Sequence, residues 1–125
     1  MFRRIDCIRL QVPDIESALS FYRDRLGLKL VWRRGSKEAG LSLLETNTEI
    51  VLVSDRIEGI EVDMLVESAD AAATEFVKLG GRIVFEPFDI PIGRCAVVED
   101  PWKNRFVILD NTKGSLVTDG EGNVI

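Results

Sequence analysis

The stretch from Asp6 to Gly27, DCIRLQVPDIESALSFYRDRLG, is restated more loosely from Gly59 to Gly81, GIEVDMLVESADAAATEFVKLGG. Val12 answers to Val66, Ala18 to Ala72, Tyr22 to Phe76 and Gly27 to Gly81, and each pair lies 54 positions apart. A constant offset across a strand and a helix marks a duplicated unit. The chain must therefore bury two equivalent amphipathic faces.

Within the first copy, Ile5–Val12 alternates. Ile8, Leu10 and Val12 point to one side and Cys7, Arg9 and Gln11 to the other. Pro13-Asp14 opens a helix with Asp14 as N-cap, and Ile15, Ala18, Leu19, Tyr22 and Leu26 follow helical spacing as far as Gly27. Strands are expected over 28–34, 39–45 and 49–54, joined by tight turns and therefore antiparallel.

The second copy repeats the order. It has a strand over 61–66, a helix over 68–79 capped by Ser68 and stopped by Gly80-Gly81, and strands over 82–86, 93–99 and 105–110. Pro87 to Pro91 is expected to break regular pairing. The polar 113–125 tail either closes a small hairpin through Asp119-Gly120 and Gly122-Asn123 or hangs loose. The fold class is α+β, built as tandem βαβββ modules. Residues 1–125 form one domain, with module one at about 4–54 and module two at about 60–112.

A length of 125 residues suffices for a real core. The net charge of −5 and pI near 4.8 argue against a nucleic-acid surface. No run is long enough to span a membrane, and MFRRIDCIRL lacks the apolar segment of a signal peptide, so a cytoplasmic protein is expected. Cys7 and Cys95 match no CxxC pattern and read as free thiols. The chain contains no histidine, which removes the commonest general base and metal ligand together.

The βαβββ duplication, the run VPDIESALSFYRDRLGL and the later VEDPWKNRFVILD resemble the vicinal oxygen chelate superfamily. That group includes glyoxalase I, extradiol dioxygenases and bleomycin-resistance proteins, and the resemblance covers about Ile5 to Asp110. It implies paired modules that form a cleft, commonly in a homodimer. It also implies a divalent metal held by one residue from the first and last strand of each module. Those positions fall here on Cys7, Val51, Glu61 and Val107. Valine cannot ligate, and Cys7 with Glu61 is too small a donor set for zinc or iron. No metal and no other cofactor are expected.

Alternation also places Glu61 and Asp63 away from the helices, and puts Glu49 with Val51 and Arg105 with Val107. Under the resemblance these faces line the cleft. Arg9 and Asp63 are repeat equivalents that either pair with each other or bind a ligand. Glu61 is either a structural carboxylate or a general base. Cys7 is a core thiol or, less readily, a nucleophile. Trp32 and Trp102 either stack on a planar ligand or plug the sheet. Phe85, Phe88 and Arg94 flank a segment that walls the cleft or is an ordinary loop.

The ligand-binding candidates are therefore Cys7, Arg9, Glu49, Val51, Glu61, Asp63, Arg94, Trp102 and Val107. The leading expectation is a metal-independent small-molecule-binding protein like the bleomycin-resistance members. Glu49, Glu61 and Asp63 lean toward a cationic ligand, and Trp102 toward an aromatic one. The alternative is a lyase, isomerase or dioxygenase with a displaced metal site or a Glu61-based acid–base pair. A domain that acts mainly through its dimer surface is a third reading.

Overall fold

The computed structural model describes residues 1–125, which divide into two compact units. One comprises Asp6–Glu61 with Val117–Ile125, and the other Met1–Ile5 with Val62–Leu116. Each is a βαβββ module in which three strands follow one helical segment. No helix is long and apolar enough to cross a membrane.

Module one contains β1 (Arg4–Gln11), β2 (Lys29–Arg34), β3 (Glu38–Ser42) and β4 (Glu49–Val53), in the spatial order β2-β3-β4-β1. The two hairpin pairs are antiparallel and β4 runs parallel to β1, with Cys7 opposite Glu49 and Arg9 opposite Val51. The helix α1 (Ile15–Leu19) starts as expected, with Asp14 accepting from the Ser17 amide at 2.9 Å. Val12, Ile15, Ala18 and Leu19 bury against Ala39, Leu41 and Leu52.

The helical stripe fails at Leu26, which is 55% exposed. The Ser20 hydroxyl donates to the Glu16 carbonyl at 3.2 Å beside the backbone bond to the same carbonyl. Ser20–Arg25 then forms a π-helical turn, closed by the Leu26 amide on the Phe21 carbonyl at 2.8 Å. The wider turn rotates Leu26 off the core face. Gly27, at φ +81°, ends it.

The tail resolves as a hairpin. Thr118 pairs with Val124, and Asp119 accepts from the amides of Glu121 and Asn123. Asn123 also pairs in parallel with Arg33, where the Arg33 amide donates to Gly122 and the Val124 amide to Arg33, both at 2.8 Å. The tail thereby covers part of the otherwise open edge of β2, a position that invites unwanted strand pairing.

Module two contains β5 (Glu61–Leu65), α2 (Ala69–Lys78), β6 (Arg82–Ile90), β7 (Gly93–Glu99) and β8 (Arg105–Leu109). Its strand order is β5-β8-β7-β6, with β5 parallel to β8. Ser68 caps α2 by accepting from the Ala71 amide. Val66, Ala69, Ala72 and Ala73 pack on Ala96, Val98 and Ile108. The N-terminal residues belong here too: the Arg3 amide donates to Leu65, and the Phe2 ring lies 5.3 Å from that of Phe106.

Pro87 does not end its strand, contrary to the expectation from sequence. β6 runs on to Ile90 as an edge strand, and its register slips between Ile83 and Phe85 and again between Phe85 and Phe88. An edge position needs no N–H on its outer side, and the irregularity absorbs the proline.

Asp110, 1% exposed, ties module two together. Its carboxylate accepts from the amide of Ala69 at 2.8 Å, the amide of Arg94 at 2.9 Å and the hydroxyl of Thr112 at 2.8 Å. A Cβ on Gly93 would lie 2.2 Å from Asp110 Oδ1, so glycine is required there. Burial works to raise the Asp110 pKa, but these hydrogen bonds outweigh it and hold the carboxyl below its ordinary value. Because the folded carboxyl resists protonation, its contribution is complete above an ordinary aspartate pKa of about 3.9 and falls as pH drops below it. Asp110→Ala is expected to cost about 3 kcal/mol at neutral pH in urea unfolding, and clearly less in strong acid.

Candidate functional site

Strand alternation gives each module one face under its helix and one free of helix. On the helix-free face of module one, the cross-strand pairs align into rows. Lys29, Ser42, Glu49 and Cys7 form one; Trp32, Gly40, Val51 and Arg9 the next; Arg34, Glu38, Val53 and Gln11 the third. Cys7 and Val51 are buried, at 4% and 2% exposed.

The indole of Trp32 lies across Gly40, where an added Cβ would come within 2.0 Å of its Nε1. That nitrogen donates to Glu49 Oε1 at 2.8 Å. Trp32 is 8% exposed, so it forms part of the floor of this face. The Arg9 guanidinium is bonded to Glu38 through Nη2 and lies 3.4 Å from Glu61 Oε2 through Nε. Glu38 also meets Arg34 at 3.3 Å. Arg9, Glu38 and Glu61 thus form one half-buried charged group. Glu38 was not singled out from sequence; its signal was its place two residues from Gly40 on a strand facing Arg9.

On the helix-free face of module two the rows are Arg82, Glu99 and Arg105; then Phe85, Val97, Val107 and Asp63; then Phe88, Cys95, Leu109 and Leu65. Leu65, Cys95 and Leu109 make a small buried cluster with Val107, Ile90 and Ile92 against it. Asp63 is 5% exposed. Glu99, 6% exposed, accepts from Arg82 Nε at 2.8 Å and from Arg105 Nε at 2.9 Å. The bonds from Arg82 and then Arg105 hold the Glu99 carboxyl below its usual value.

Two sequence candidates stand apart. Arg94 alternates onto the helix side, where it forms a fork to Asp70 of α2 at 3.0 and 3.1 Å and also donates to the Pro87 carbonyl. Its bond to Asp70 raises its pKa. Trp102 is 77% exposed in the β7–β8 turn, where its amide donates to Asp100 Oδ1 at 2.8 Å. A depression of about 580 Å³ beside α2, lined by Met1, Ala71, Ala72 and Leu79 with Glu67 and Glu75, contains none of the candidates.

With this geometry in hand, the sequence was compared with known proteins. A family model described as "Glyoxalase-like domain" matches residues 7–109. The chain belongs to the glyoxalase-like family. It is thereby a member of the vicinal oxygen chelate superfamily. No curated protein matches it. A hypothetical protein from Bacillus halodurans C-125 is similar at TM-score 0.74 and 21% identity, covering 90% of this chain and 96% of that one. Methylmalonyl-CoA epimerase from Mycobacterium tuberculosis gives 0.73 and 21%, covering 89% of each. A mutant homoprotocatechuate 2,3-dioxygenase from Brevibacterium fuscum gives 0.67 and 24%, covering 89% of this chain and 33% of that one. These identities speak for the fold.

The metal that the superfamily implies does not fit the side chains present. Under the resemblance two of its positions fall on Val51 and Val107, neither of which can ligate, and no three cysteine, aspartate or glutamate side chains gather in the chain. A valine side chain offers a cation no donor.

Gly40→Ala tests the arrangement on module one. It should displace the Trp32 indole, break its bond to Glu49 and cost about 1–3 kcal/mol. In a Trp102→Phe background the remaining tryptophan emission should shift to the red.

Proposed function

We propose that this member of the glyoxalase-like family binds a small organic molecule on its helix-free sheet faces without the help of a metal. The observation that carries the reading is Val51 and Val107. On the resemblance both stand where the superfamily's donors would; Val107 is partly exposed and apolar, and Val51 is buried beneath the face. The same faces keep hydrogen-bonding, charged and aromatic groups, including Arg9, Glu38, Glu49, Glu61 and Trp32. A few placed polar groups among apolar ones are what a small-molecule site needs.

The residues have chemistry suited to holding rather than transforming. Glu49 accepts from an indole and Glu61 faces a guanidinium, so each carboxylate is already oriented by a neighbour. This leaves the lean toward a cationic ligand weaker than the sequence suggests, because Glu61 already faces the Arg9 guanidinium.

The test has two arms. The untagged chain is incubated with zinc, manganese, iron and nickel, desalted, and assayed for metal content; no stoichiometric metal is expected. A panel of acidic, basic and neutral aromatic metabolites is then screened by thermal shift. At least one should stabilise the fold, by about 2.7 kcal/mol at a hundredfold excess over its Kd, and a chelator should leave that gain unchanged. Stoichiometric metal, or a panel with no stabilising member, would overturn the reading.

A further inference from the structure

We propose that the helix-free face of module two seats an organic acid with an aromatic or long aliphatic body, its carboxylate held by Arg82 and Arg105. This rests on the small-molecule-binding reading and adds the chemical class of the ligand.

Glu99 lies beneath the two arginines and engages only the Nε of each, at 2.8 and 2.9 Å. Both bonds run to one carboxylate, so two positive charges share one negative charge. The Arg82 and Arg105 side chains are 58% and 55% exposed, against 8% for Glu99. The glutamate therefore acts as a buried clamp that fixes two guanidinium groups and leaves their terminal N–H groups for a further acceptor. A guanidinium fork matches a carboxylate in shape and charge. Holding both in advance reduces the ordering cost of binding.

The adjoining rows supply the rest of the seat. Phe85 and Phe88 are 60% and 45% exposed on β6, and Phe85 continues through Val97 to Val107. An apolar body laid from the arginine row across the two phenylalanines would cover surface that water now meets. Asp63, the acidic group of this face, is buried beside Val107 on the β5 side, away from the β6 phenylalanines. A cationic ligand would meet net positive charge at the arginine row, and a neutral one would leave the donors unused.

Phenylbutyrate, phenylbutylamine and phenylbutanol, titrated calorimetrically into the full chain, test the proposal. The acid is expected to bind about tenfold more tightly than the alcohol and the amine, with the preference shrinking at high salt. Arg82→Gln and Arg105→Gln should each weaken the acid about tenfold and leave the alcohol unchanged. Because either change also loosens Glu99, the wild-type arginine Nε–H resonances are followed as well, and the acid should shift those of Arg82 and Arg105. Equal affinity for all three compounds, unchanged acid binding in both variants, or shifts confined to other residues would overturn the acid class. If these compounds fail while only basic or neutral panel members stabilise the protein, the acid class falls and small-molecule binding stands. If the whole panel fails, both fall.

Discussion

One buried carboxylate fixes the shape of module two. Asp110 ends β8, and from there it takes the first amide of α2, the second amide of β7 and the hydroxyl of Thr112. Each bond joins an element that would otherwise end in an unmet polar group, which is costly when buried. The result is a fixed relation among helix, strand and chain exit. Everything on the opposite side of β7 and β8, including Glu99, Val97 and Val107, inherits that relation through strand alternation. Module one has no equivalent carboxylate. Ser54 follows β4 where Asp110 follows β8, and it bonds only to the Lys37 carbonyl through its amide and hydroxyl. The C-terminal hairpin on β2 supplies an additional tie there instead.

Duplication has left the two modules alike beneath their helices and different on their open faces. Beneath the helices both pack alanines against aliphatic residues, as any copy of the amphipathic pattern must. On the open side, module one carries a buried indole bonded to a carboxylate and an arginine between two glutamates. Module two carries phenylalanines and valines with an arginine–glutamate–arginine row at one end. Packing under a helix constrains size and polarity, whereas an open face is constrained mainly by what it meets.

The order of elements, both N-caps and the family were legible in the sequence because they rest on local rules: alternation, helical spacing, and cap residues at fixed offsets. What escaped depends on partners distant in the chain or on backbone irregularity. Leu26 obeys helical spacing, but the π-helical turn over Ser20–Arg25 carries it outward. Pro87 looks like a strand breaker until β6 is known to be an edge. Arg94 has the chemistry of a ligand residue, yet one step of alternation sends it to Asp70 on the helix. Glu99 reads from sequence only as the last residue of the strand over 93–99. Only pairing with Arg82, seventeen positions earlier, makes it a clamp.

Val107, which the resemblance places at a metal-donor position, lies on the same face as Glu99. A bare cation near Val107 would lose its hydration without gaining ligands, an expense that an apolar surface cannot offset. The same methyl groups favour the body of an organic ligand, because they lie in one row with Val97 and the half-exposed Phe85. Valine at position 107 thus extends an apolar strip beside the row that carries the guanidinium groups of Arg82 and Arg105. Under the proposed function, the polar end of the ligand is recognised at the edge of this face by arginine rather than at its centre by a metal. On that reading the fold holds molecules that combine an anionic head with an apolar tail.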